Sequence, residues 1–120
     1  MHPLIAAALD EAAALAGDRG WQLPGEATVR EAEQVLRLTQ SRWPAPALQA
    51  EPDGALTLAW DGGERGWVEL RVDGGGQLTH SAVIEGDEYG QAEAWADVAL
   101  PDHLPDWAAE VLRRLYLTLQ

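Results

Sequence analysis

The sequence predicts an α+β fold: an antiparallel β-meander of three to five strands packed with two N-terminal helices and one C-terminal amphipathic helix. Apolar residues recur at helical spacing up to about Gln40, switch to a period of two between Leu56 and Ile84, and return to helical spacing after Asp106. A chain of 120 residues, 47% of them hydrophobic, has the size and the apolar content of one domain with one core, covering residues 1–120.

Leu4, Ile5, Ala8, Leu9, Ala12, Leu15 and Ala16 share one helical face, and Gly17 is placed to stop this first helix. A loop follows from Asp18 to Gly25, with Trp21 and Leu23 expected to anchor it on the core. Thr28 and Glu31 have the spacing of a capping box, which would begin the second helix there. That helix runs to about Gln40, carries Val29, Ala32, Val35 or Leu36, and Thr39 on one side, and is ended by Pro44 and Pro46.

Three strands come next. Leu56, Leu58 and Trp60 alternate with Ala55, Thr57 and Ala59; Val68, Leu70 and Val72 with Trp67, Glu69 and Arg71; Leu78, His80, Ala82 and Ile84 with Thr79, Ser81 and Val83. Ala47 to Ala50 can add an edge strand. Glycine- and aspartate-rich turns, Asp61 to Gly66 and Asp73 to Gly76, separate the main strands. Pairing Val72 with Leu78 sets Leu70 opposite His80 and Val68 opposite Ala82 on a core face. Arg71 then faces Thr79, Glu69 faces Ser81, and Trp67 faces Val83 on the other side. Trp60 and Trp67 belong to opposite faces. Between Tyr89 and Leu100 the alternation of Ala94, Ala96, Val98 and Leu100 favours a last strand, while the alanine content also permits a helix. Trp107, Ala108, Val111, Leu112, Leu115 and Leu119 form the stripe of the last helix, acidic at its start and arginine-bearing at its end, as the helix dipole prefers.

Charge excludes several function classes. The formal net charge is -12, from twenty acids and eight basic residues that are all arginine. Such a surface repels phosphate backbones and anionic lipid, so neither nucleic acid nor membrane is an expected partner. No lysine or arginine occurs between Arg71 and Arg113, whereas Asp73, Glu85, Asp87, Glu88, Glu93, Asp97, Asp102, Asp106 and Glu110 fall from Asp73 onward. That region would attract a basic partner or simply keep the protein soluble. The absence of cysteine excludes disulfides, thiolate metal sites and cysteine nucleophiles, and fits a reducing compartment. Leu4 to Leu15 is too short to span a bilayer, carries Asp10 and Glu11 and lacks a basic start, so a cytoplasmic location is expected. Arginine without lysine, and six tryptophans beside no phenylalanine, suggest a GC-rich bacterial or phage source.

No residue pattern carries catalytic chemistry. Asp73-Gly74-Gly75-Gly76 joins strand to strand, whereas a phosphate loop joins strand to helix, so a hairpin turn is expected. Asp61, Gly62, Gly63 and Glu64 lack the ligand series of a calcium loop. His2, His80 and His103 share no spacing that aims two at one metal, and no metal or other cofactor is expected. Alternation sends His80 and Ser81 to opposite faces, which prevents a hydroxyl–imidazole pair. Carboxylate pairs such as Asp102 with Asp106, or Glu69 near the strand of His80, are available for acid–base work, and nothing singles one out. Of the tryptophans, Trp60 and Trp107 read as core, Trp21 and Trp43 as loop anchors, and Trp67 and Trp95 as the two open to solvent. The candidate binding residues are Trp67, Glu69, Arg71, Thr79 and Ser81 on the half-polar sheet face, together with Trp95.

Trp43, Pro44, Pro46, Pro52, Gly54, Leu56, Leu58 and Trp60, with Trp21 before the second helix, resemble a pattern in small uncharacterised bacterial α+β proteins. In these a helix ends in a proline pair, and a glycine turn leads into a strand closing on tryptophan. The resemblance spans about residues 15–85 and implies the order of helices then meander, with no activity attached. A second likeness is to type III secretion chaperones, small acidic dimeric α/β proteins that end in an amphipathic helix; here two helices precede the sheet. The expected function is a non-enzymatic protein-binding module, antitoxin-, immunity- or inhibitor-like, engaging a basic partner. The alternatives are a secretion-chaperone-like homodimer and an enzyme with a carboxylate-based site on the sheet face.

Overall fold

The computed structural model describes residues 2–94 and 106–116; the side chains at 17–19, 89, 91–94, 106 and 107 fall outside that description. Helices α1 (Pro3–Arg19) and α2 (Glu26–Thr39) precede strands β1 (Ala47–Ala50), β2 (Leu56–Asp61), β3 (Gly66–Val72), β4 (Gln77–Ile84) and β5 (Asp87–Ala94), and α3 (Asp106–Leu115) follows. The strands form one antiparallel sheet in sequence order, β1-β2-β3-β4-β5. The fold is α+β with the element order the periodicity predicts, and the meander reaches five strands.

Two helix boundaries differ from the expected ones. α1 passes through Gly17 and ends at Gly20, whose φ of 68° is the left-handed conformation that closes a helix. Its start is capped by His2, whose Nδ1 accepts the Leu4 N–H at 3.1 Å, with Pro3 in the first turn, where its missing N–H removes no bond. α2 begins at Glu26 after Gly25, so Thr28 and Glu31 are not a capping box. Both are 4% exposed. Glu31 instead accepts the backbone N–H groups of Gly74 at 2.8 Å and Gly76 at 2.9 Å, gripping the β3–β4 turn. That turn lies so close to α2 that a Cβ on Gly74 would come within 2.8 Å of Thr28 Oγ1. The glycine segment therefore does cradle an anion, one supplied by the chain itself.

The loop between α1 and α2 reaches the β1–β2 turn through a backbone hydrogen bond, and of the two expected anchors Trp21 is half-buried while Leu23 is not. The Gln22 N–H donates to the Pro52 carbonyl at 2.9 Å, and Leu23, expected on the core, is 55% exposed. Trp43 is buried at the α2–β1 connection, with the Arg42 guanidinium 4.4 Å above its ring.

In the sheet, β3 and β4 pair as the alternation requires: Leu70 with His80, Val68 with Ala82, Glu69 with Ser81 and Trp67 with Val83. Trp60 pairs with Val68, and Asp61 with Trp67, which places the two tryptophans on opposite faces. Leu56, Leu58, Trp60, Val68, Leu70, Val72, Leu78 and Ile84 are buried on the inner face. α2 packs on β2 and β3, α3 on β3 and β4, and α1 on β1 and α2. One hydrophobic cluster joins Ile5, Ala8 and Ala12 of α1, Ala32, Val35 and Leu36 of α2, these strands, and Ala108, Val111, Leu112 and Leu115 of α3. Burying each large aliphatic side chain of that cluster contributes about 1.5–3 kcal/mol before chain entropy is subtracted. The Trp60 indole, 1% exposed, meets its hydrogen-bonding need by donating from Nε1 to the Pro44 carbonyl at 2.8 Å.

The C-terminal end of α3 is tied to the sheet by Arg65. Its Nε donates to the Leu115 carbonyl at 3.1 Å, one terminal nitrogen donates to the Arg114 carbonyl at 2.7 Å, and the other pairs with Glu85 at 2.9 Å. A guanidinium there satisfies carbonyls with no helical partner and opposes the negative end of the helix dipole. Among the described residues no helix is long and apolar enough to cross a membrane.

Candidate functional site

Because the helices pack on the inner face, the outer sheet face carries no described element. Strand alternation fixes its membership. β1 contributes Ala47 and Gln49, β2 Thr57, Ala59 and Asp61, β3 Trp67, Glu69 and Arg71, β4 Gln77, Thr79, Ser81 and Val83, and β5 Glu88 and Gly90. Ala47, Gln49, Asp61, Glu69, Gln77, Ser81 and Glu88 are exposed. Five of the expected binding residues, Trp67, Glu69, Arg71, Thr79 and Ser81, thus lie together on adjacent strands β3 and β4. Trp95 lies outside the described residues.

Trp67 is 40% exposed, a large share for an indole. It stands opposite Asp61 on β2 and Val83 on β4, and Glu88 of β5 pairs with Val83 in turn. Glu69 follows it on the same face two residues along β3. An aromatic surface is therefore bordered by carboxylates from three strands, an arrangement suited to a guanidinium or ammonium group through its π face and its acidic rim. Asp61 and Glu88 were not among the expected residues. Asp61 was within reach of sequence reasoning, because pairing Trp60 with Val68 puts Asp61 against Trp67.

Arg71, the basic residue of the expected set, is already engaged. Its guanidinium pairs with the Asp53 carboxylate and lies 3.9 Å from Asp73, so its charge is matched at that end of the face. Nearby, the Thr57 hydroxyl donates to Glu51 at 3.0 Å. The outer face as a whole keeps an acidic character.

On the inner face His80 is 4% exposed, and burial pushes its pKa below the ordinary 6.5. It is therefore a neutral imidazole at neutral pH. Ser81 is exposed on the opposite face, and Glu69, paired with Ser81, also points away from His80. The strand geometry thus separates the imidazole from the hydroxyl and from that carboxylate. Among the described residues no group of three or more His, Asp or Glu side chains is placed to hold a metal ion. His103 and Asp102 lie outside the described residues. Compared with known proteins, the chain matches no family model, no curated protein and no solved structure.

Proposed function

We propose that this chain is a non-enzymatic protein-binding module, of the antitoxin, immunity or inhibitor kind, whose outer sheet face engages a basic partner. An antiparallel sheet with one face in water is stable as it stands, so the open face alone calls for no partner. The observation that carries the reading is Trp67, 40% exposed on that face and flanked by Asp61 in direct register, with Glu69 and Glu88 beyond. Indole surface left in water forgoes hydrophobic stabilisation, and a partner that covers it recovers that term. The net charge of -12 adds long-range attraction for a cationic surface and speeds encounter.

The test is retention of proteins from the source cell on the tagged chain, beside the Trp67→Ala and Glu69→Arg variants. The reading expects a basic protein held at low ionic strength, released as salt is raised, and retained at least about tenfold less by either variant. Retention that ignores both salt and Trp67, or the lack of any basic protein at low salt, overturns it.

A further inference from the structure

Most arginines with described side chains already have an anionic or aromatic neighbour. Arg65 pairs with Glu85, Arg71 with Asp53, Arg113 with Glu110, and Arg42 lies over Trp43. None of the ion pairs among the described residues involves Arg30 or Arg37. Both line one cavity of about 400 Å³ on the outer side of α2, where the N-terminus of α1 comes alongside. In a chain with twenty acids, two arginines that have no ion pair among the described residues leave a small local excess of positive charge at one hollow, even with Glu33 beside them.

Other lining groups add to this. His2 lines the α1 end, and because its Nδ1 accepts the Leu4 N–H, the neutral ring carries its proton on Nε2 and is a donor there. Gln34, 7% exposed, accepts from Arg37 at 2.5 Å and steadies that side chain in the lining. The Ile5 and Ala6 N–H groups are both bonded to the His2 carbonyl, so side chains rather than the end of α1 supply the attraction. Glu33 shares the lining, leaving a charge of about one positive unit from two arginines and one carboxylate.

We infer that this cavity binds a small organic anion, a phosphate monoester or a carboxylate, between Arg30 and Arg37. The volume falls within the range of small-molecule sites and exceeds what a bare oxyanion fills. Guanidinium forks match carboxylate and phosphate oxygens with paired, charge-assisted hydrogen bonds. The site lies on α2 and does not depend on the outer sheet face.

The experiment is NMR titration of the full isotope-labelled chain with phenyl phosphate, benzoate and, as the uncharged control, phenol. Saturable shifts centred on His2, Arg30 and Arg37 with either anion, absent with phenol, are expected, and the anion that saturates them identifies the oxyanion. The Arg30→Gln/Arg37→Gln variant should bind at least about tenfold more weakly, whereas Glu33→Gln, which removes the opposing charge, should bind more tightly. All three side chains are exposed on α2, and an unchanged thermal unfolding curve checks that each variant folds. Absence of saturable shifts with both anions, an equal response to phenol, or binding indifferent to the double variant would overturn the inference.

Discussion

Glu31 is a buried carboxylate with no cationic partner among the described residues, and its environment explains why this is tolerated. Each oxygen accepts a backbone N–H, from Gly74 and from Gly76, so hydrogen bonds replace the lost water. An amide at this position would offer one acceptor and turn a donor toward another donor. Glu31→Gln is therefore expected to lower stability by about 1–3 kcal/mol in urea unfolding. Gly74→Ala should be destabilising as well, since its φ of 86° and the nearness of Thr28 both oppose a side chain. His80 makes a pH-dependent contribution. With its folded-state pKa below 6.5, the unfolded chain binds more protons as pH falls, so stability should decline below about pH 6.5 until the folded-state pKa is passed. His80→Gln should flatten that part of the unfolding profile measured between about pH 7 and 5. At this scale the sequence misled where a local pattern imitated a distant one. Thr28 and Glu31 have capping-box spacing, but the true partners of Glu31 stand 43 and 45 positions away.

Among the elements, the strands were the most legible, because alternation is a local signal and one face must be buried. Val72 opposite Leu78 fixed every later pair of that hairpin, and the edge strand at Ala47 to Ala50 followed from the proline and glycine around it. The end of α1 was less legible, since Gly17 and Gly20 are equally plausible stops on composition and only backbone conformation separates them. The packing of α3 on the sheet is legible from its apolar stripe, but its tie through Arg65 is not, since Arg65 lies about fifty residues from the carbonyls it holds. Arg65→Gln removes this cap and the Glu85 pair together, and the expected loss is about 1–2 kcal/mol. Hydrogen exchange should locate that loss, with amides of α3 losing protection before those of β3 and β4. Uniform loss across the fold would show that Arg65 does not act through the helix end.

For the whole molecule, the main feature is the division between a helix-covered sheet face and an open one. The covered face could be read from apolar periodicity, and so could the membership of the open face. Which open-face residues stand side by side needed the register of β2, β3 and β5, and the hollow beside Arg30 and Arg37 needed the packing of α1 against α2. The net charge of -12 was legible from composition, and its distribution over these two regions was not.

The hold of Glu31 on the β3–β4 turn also bears on whether the chain can be divided. The helical N-terminal portion supplies the carboxylate and the C-terminal portion the amides, so each half completes the other's wiring. If the peptide bond after Ala45 is severed, two fragments result that should each be largely unstructured and regain the parent circular-dichroism spectrum only when mixed. Glu31→Gln in the first fragment should weaken that reassembly, making this single contact the latch of a two-piece reconstitution system.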